Sequence, residues 1–142
     1  LMAAAKTGKI VNIKKAQFLS GQDMQFPVEK ALDAGAVEVW LTERGNSFGY
    51  QNLVVDFRNI PDMKEFVKTV VMDCTHCVQR PGAGQGKTLG DRRFVPAMAH
   101  AAKAFGATGY FFETHPDPDN GLSDAANMIE LSQLQGLIES LL

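Results

Sequence analysis

A chain of 142 residues, 45% hydrophobic and 21% charged, is long enough for one domain with an ordinary core. None of its apolar runs approaches the roughly 18 residues of a membrane-spanning helix, and a net charge of −2 offers no basic field to a nucleic-acid backbone. Two cysteines fit a reducing cytoplasm; the stretch LMAAAKTGK has no signal-peptide pattern, and a chain opening on Leu1 is expected to be a fragment or to have lost its start.

The first run, Lys9–Lys15, is β-branched and alternates poorly, which predicts a strand over Lys9–Ile13 buried on both faces. Ser20 is placed to cap the next helix, which has Pro27 at or near its first turn, carries Val28, Ala31 and Leu32 at helical spacing, and stops at Gly35. The second strand is expected over Val37–Thr42. Asn46–Ile60 is longer than an ordinary strand-to-helix loop, so it is read as a functional loop with a short strand, Leu53–Val55, inside it. Pro61 opens a short helix through Met63, Phe66 and Val67. The third strand, Val70–Cys74, precedes the glycine-rich stretch Arg80–Asp91, expected to be a mobile lid or an anion-cradling loop. Helix three is expected over Phe94–Phe105, ending at Gly106. Strand four covers Tyr110–Phe112, a polar loop runs Glu113–Asp124, and helix four spans Leu131–Leu142 with Ser132 near its start.

This is a strand–helix unit repeated four times. Lys14, Arg44, His76 and Glu113, each just past a strand, lie at intervals of 30, 32 and 37 residues. In parallel α/β folds the reactive groups gather where strands end, so these four clusters should converge on one site. Four units suit either a small open sheet or half of a barrel, since eight need at least about 200 residues.

Each group has a plain structural alternative. Lys14 and Lys15 could be a solvated strand end, although alternation must send one of them inward. Arg44 could grip a carboxylate or phosphate with two nitrogens, or pair with Glu43 or Asp56. Cys74-Thr75-His76-Cys77 has the Cys-x-x-Cys spacing of redox and zinc sites. There is no second pair for zinc, and these residues end a strand instead of opening a helix. Both cysteines are therefore read as small buried residues, and alternation puts Cys74 and His76 on one face. His76 with Glu113, His115, Asp117, Asp119 and Asp124 would suit a divalent Zn²⁺, Mn²⁺ or Fe²⁺; Asp117–Asn120 alone reads as a polar turn. Gly86-Lys87-Thr88 is only the tail of a nucleotide-loop motif and is read as part of the lid.

Asn12-Ile13-Lys14-Lys15-Ala16-Gln17-Phe18, Leu41-Thr42-Glu43-Arg44-Gly45, Phe48–Asp56, Asp73–Gln79 and Glu113–Pro118 together resemble the 3-deoxy-D-manno-octulosonate 8-phosphate synthases. The likeness runs in order over essentially the whole chain. More distantly the sequence is similar to the 3-deoxy-D-arabino-heptulosonate 7-phosphate synthases. The resemblance implies a TIM (β/α)8 barrel, with residues 1–142 as its C-terminal half, strands five to eight. It implies condensation of phosphoenolpyruvate with D-arabinose 5-phosphate for lipopolysaccharide biosynthesis in the cytoplasm.

By the same resemblance Lys14, Arg44, His76 and Gln79 form the catalytic set. Lys14 and Arg44 bind phosphoenolpyruvate, Gln79 faces the substrates, and Arg92 lies on the closing loop. His76, Glu113 and Asp124 correspond to metal ligands for zinc, iron or manganese in the metal-dependent class, and no cofactor is needed in the other. Leu122-Ser123-Asp124-Ala125 is similar to the metal-dependent members. The family's fourth ligand is a cysteine on the first barrel strand, which neither Cys74 nor Cys77 replaces. Thr88-Leu89-Gly90-Asp91-Arg92-Arg93-Phe94 departs from the usual Ser-Gly-Gly-x-Arg-Glu-Phe. A half-barrel is expected to act with a complementing N-terminal half or as a homo-oligomer, and to be inactive alone. The alternatives are a non-catalytic half-barrel module or remnant that only folds or oligomerises, and a related 3-deoxy-heptulosonate-phosphate synthase-like enzyme.

Overall fold

The computed structural model describes residues 1–84 and 87–142. Gly86, and with it part of the Gly86-Lys87-Thr88 reading, lies outside them. Four strands, β1 (Ile10–Lys14), β2 (Glu38–Glu43), β5 (Thr69–Asp73) and β8 (Gly109–Phe111), form one sheet in that order, every pair parallel. Each is followed by a helix: α2 (Gln25–Asp33), α3 (Asn59–Lys64), α4 (Val95–Ala104) and α5 (Leu131–Leu141). The repeated unit expected from the sequence is therefore the architecture, and the fold is that of a partial (β/α) barrel.

All four helices cover the same face. Leu41, Val70 and Met72 of the sheet pack with Val28 and Ala31 of α2, Ile60 and Met63 of α3, Val95, Ala99 and Ala102 of α4, and Leu137 and Leu141 of α5. Burial of a side chain such as Leu41, Ile60 or Met72 contributes about 1.5–3 kcal/mol, which fixes which side of the sheet the helices take. The opposite face carries Asn12, Lys14, Trp40, Thr42, Asp73 and Phe111 by alternation and register. It is left partly open: Ile10 is 47% exposed and Phe111 42%. This corrects the expectation that the first strand is buried on both faces. Its exposure alternates because helices cover only one side of it.

Local chemistry explains most boundaries. Ser20 Oγ accepts the Asp23 N–H at 3.2 Å, and the Asp23 carboxylate takes back the Ser20 N–H at 2.8 Å, a reciprocal cap on the turn that leads into α2. Gly35, at φ +102°, ends that helix, with Ala36 N–H returning to the Ala31 carbonyl. Helix α3 begins two residues before Pro61 and ends before Phe66 and Val67, a shift from the expected span. The long loop holds a two-strand hairpin, β3 (Asn46–Ser47) with β4 (Leu53–Val54). The glycine-rich stretch is an antiparallel ribbon, β6 (Gln79–Gly84) with β7 (Lys87–Gly90), where a loop was expected. Besides β3, the short elements α1 (Met2–Ala5), β9 (Thr114–His115) and β10 (Ile129–Glu130) were not anticipated, the last two paired in parallel.

Candidate functional site

The site assembles at the C-terminal ends of β1, β2, β5 and β8. Alternation parts the two lysines. Lys15 turns into the covered side and is fully enclosed, with Nζ donating to the Leu19 carbonyl and to Asn46 Oδ1, each at 3.0 Å, and lying 3.5 Å from Glu43 Oε1. Burial lowers its pKa and the Glu43 carboxylate pulls it back up. Glu43 Oε1 in turn accepts the N–H groups of Arg44 and Gly45 at 2.9 and 2.5 Å. The buried pair thus ties the loop after β1 to the loop after β2. A solvated strand end does not describe Lys15.

Lys14 takes the open face. Its Nζ donates to Asp73 Oδ2 at 2.6 Å and sits 5.3 Å from the centroid of the Phe111 ring. Arg44 pairs with neither Glu43, which Lys15 occupies, nor Asp56, which Arg58 holds at 2.7 Å. Its Nη2 donates instead to Gln79 Oε1 at 2.8 Å and to the His76 carbonyl at 3.3 Å. Its Nε is buried and has no hydrogen-bond partner among the described residues. A buried guanidinium N–H left without a partner suits an anion.

His76 is placed by a turn, which corrects the alternation argument. The strand stops at Asp73, whose Oδ1 accepts the His76 N–H at 2.9 Å, and the chain coils into a short 3-10 turn over His76–Val78. Cys74 and Cys77 fall into the core, where burial pushes both thiols far above their ordinary range. His76 swings to the other side. The same carboxylate takes its Nδ1 at 2.9 and 3.1 Å. Asp73 is wholly buried and is the site residue that sequence reasoning missed. The Asp-x-x-His spacing, which lets an aspartate cap the backbone N–H three residues on, was the signal available.

With Nδ1 held, Nε2 faces Glu113 Oε2 at 3.5 Å and Asp124 Oδ2 at 3.9 Å. One ligand atom from each of the three lies within 4.8 Å of the others. A tetrahedral ion with bonds of about 2.0–2.2 Å holds its donors about 3.4 Å apart, so the separations are close to those of a metal shell. An imidazole oriented by a carboxylate, facing two further carboxylates, is also the donor set a divalent metal selects. Glu113 is fixed by its N–H to Thr75 Oγ1 at 2.7 Å. Asp124 adopts a left-handed backbone, φ +49°, and its carbonyl accepts the N–H groups of Asn127 and Met128 at 2.8 and 3.1 Å. Gln79 Nε2 donates to Asp124 Oδ1 at 2.8 Å, so Gln79 bridges Arg44 and Asp124.

Lys14, Arg44, His76, Gln79, Glu113 and Asp124 are therefore brought together. Arg92 is turned into the loop that carries Asp124: it donates to the Ala125 carbonyl at 2.8 Å and pairs with Asp119. His115 is tied locally, accepting the Asp117 N–H at 3.0 Å, and Asp117 and Asn120 close the turn expected of them.

The sequence profile of the DAHP synthetase I family matches residues 1–141. A relative from Bartonella bacilliformis is 51% identical over 142 residues, which is 100% of this chain and 50% of the relative. One from Nitratidesulfovibrio vulgaris is 52% identical over 141 residues, 99% of this chain and 52% of the relative. One from Cyanothece sp. is 49% identical over 142 residues, 100% and 52% of the two lengths. All three are named 2-dehydro-3-deoxyphosphooctonate aldolase. The chain spans about half the length of the curated relatives it matches.

Proposed function

The chain belongs to the DAHP synthetase I family, and from that premise we propose that it is the C-terminal half, strands five to eight, of a 3-deoxy-D-manno-octulosonate 8-phosphate synthase. The enzyme condenses phosphoenolpyruvate with D-arabinose 5-phosphate and releases phosphate, in the cytoplasm, for lipopolysaccharide biosynthesis. The observation that carries this reading is the convergence of Lys14 and Arg44 with His76, Glu113 and Asp124 at one end of one parallel sheet. Among the described residues no helix is long and apolar enough to cross a membrane.

The arrangement suits the reaction. Lys14 and Arg44 neutralise the carboxylate and phosphate of phosphoenolpyruvate, and Gln79 keeps the Arg44 guanidinium turned toward them. C3 of the enol attacks the aldehyde carbon, and the aldehyde oxygen takes up a proton. Water adds at C2, and cleavage of the C2–O bond yields the 2-keto acid and inorganic phosphate. His76, Glu113 and Asp124 would hold a divalent zinc, iron or manganese ion, which when bound polarises oxygen ligands and lowers the pKa of water.

The open face of the sheet and the edges of β1 and β8, each paired on one side only among the described residues, support a requirement for a second polypeptide. That partner is a complementing N-terminal half or further copies of this chain. Light scattering on the purified chain should show species larger than one chain, and a stable monomer at high dilution would argue against the requirement.

Activity is tested by joining this chain to the N-terminal half of the Bartonella bacilliformis relative. The chain alone should release little or no phosphate. The joined protein should release it from phosphoenolpyruvate only when arabinose 5-phosphate is present. Arg44→Met should slow that release by roughly 10- to 150-fold, the worth of charge-assisted hydrogen bonds of about 1.5–3 kcal/mol. Release that ignores the sugar, or none at all, would overturn the assignment.

A further inference from the structure

Asp73 is a wholly buried carboxylate that holds two groups with different tasks. Its Oδ2 accepts from Lys14 Nζ at 2.6 Å and from His76 Nδ1 at 2.9 Å. Its Oδ1 accepts the His76 backbone N–H at 2.9 Å and also lies 3.1 Å from Nδ1. A buried acid needs a cation or hydrogen bonds to remain ionised. Among the described residues the only cation within salt-bridge reach, His76 aside, is Lys14, whose side chain is itself 45% exposed on the open face.

We propose that Asp73 is a positioning residue that couples the substrate-anion cation Lys14 to the metal ligand His76, so that anion and divalent metal bind with positive cooperativity. This rests on the reading of His76, Glu113 and Asp124 as a metal site. The physical argument is competition for one carboxylate. Because an ionised carboxylate only accepts, Nδ1 of His76 carries the proton and Nε2 presents its lone pair to Glu113 and Asp124. The more closely Asp73 holds Nδ1–H, the more firmly the ring is fixed with Nε2 turned toward Glu113 and Asp124. Lys14 draws on the same oxygen. An anion that engages Lys14 offsets its charge and returns the carboxylate to the imidazole, which strengthens the metal ligand. In the other direction, a cation held at Nε2 makes Nδ1–H a stronger hydrogen-bond donor, draws Asp73 toward the ring and frees Lys14 for the anion. Linkage requires the two effects to be equal.

Gln79 makes the corresponding link on the other side, joining Arg44 to Asp124. It is neutral and can transmit position. Asp73 carries charge, so the electrostatic part of the coupling belongs to it.

The test is calorimetric titration of Mn²⁺ alone, without and with excess phosphoenolpyruvate, on the wild-type chain and on Asp73→Asn. Asparagine keeps the volume and the acceptor for the His76 N–H but loses the charge. In the wild type phosphoenolpyruvate should tighten Mn²⁺ binding at least about fivefold. In Asp73→Asn the affinity for Mn²⁺ alone should fall roughly 10- to 100-fold, and the effect of phosphoenolpyruvate should shrink toward none. Direct attraction between ion and anion would survive the substitution, so a variant that keeps the wild-type ratio overturns the proposal, as does one that keeps wild-type affinity. If Asp73→Asn does not fold, the metal-free wild type decides. The His76 Nδ1 proton resonance should move when phosphoenolpyruvate is added, and a stationary resonance refutes the link. A wild type that binds no Mn²⁺ removes the metal reading and this inference together; Mn²⁺ binding indifferent to Asp73 removes only the inference.

Discussion

Replacing His76 with alanine should lower the affinity of the chain for Zn²⁺ or Mn²⁺ by at least about a hundredfold. The loss of a supporting second partner costs about 10- to 100-fold, and His76 is the donor on which the other two converge. Its Nε2 lies 3.5 Å from Glu113 Oε2 and 3.9 Å from Asp124 Oδ2. Without the ring, two partly exposed carboxylates remain, which is a weak and unselective site for a transition metal. Calorimetric titration measures the effect, with circular dichroism to show that the variant is folded. Equal affinity in wild type and variant would mean that the three side chains meet for another reason, such as a protonated imidazole held between acids.

Lys15→Met should cost roughly 3–5 kcal/mol of folding stability, the usual penalty for leaving one member of a buried ion pair uncompensated. Lys15 and Glu43 are both fully enclosed, 3.5 Å apart. Glu43 Oε2 already lacks a hydrogen-bond partner, and Lys15 is the one cation in salt-bridge reach of the acid, among the described residues. The melting temperature should fall on the order of 10 °C. Adding Glu43→Gln should recover part of the loss by removing the stranded charge, while the Leu19 carbonyl and Asn46 Oδ1 still lack the donor that Lys15 supplied. A single variant within about 1 kcal/mol of wild type would show that solvent reaches this pair.

The four strands and four main helices were legible because each is an apolar run closed by a recognisable stop, as at Gly35 and Gly106. Six of the seven site residues named from sequence share one site because parallel strands deliver their C-terminal ends to one place. Two kinds of feature were hidden. One was orientation past a strand end: carrying β alternation through Cys74 to His76 failed because the Asp73 carboxylate captures the His76 N–H and turns the chain. The other was partnership at long range. Lys14 with Asp73 and Arg92 with Asp119 are pairs of ordinary surface residue types, and composition does not reveal which cation meets which acid. The ribbon at β6 and β7 was obscured by its glycines, which favour a loop on local propensity until the ladder hydrogen bonds override them.

Asp124 holds a left-handed backbone at φ +49°, a conformation that costs a side-chain-bearing residue up to about 1–2 kcal/mol and glycine almost nothing. Folding alone would therefore prefer glycine at this position, whereas the shell shared with His76 and Glu113 needs an acid. Selection for stability and selection for chemistry pull on one codon in opposite directions. On the proposed reading of these three residues as a metal shell, Asp124→Gly should therefore fold at least as tightly as the wild type while holding a divalent ion less well.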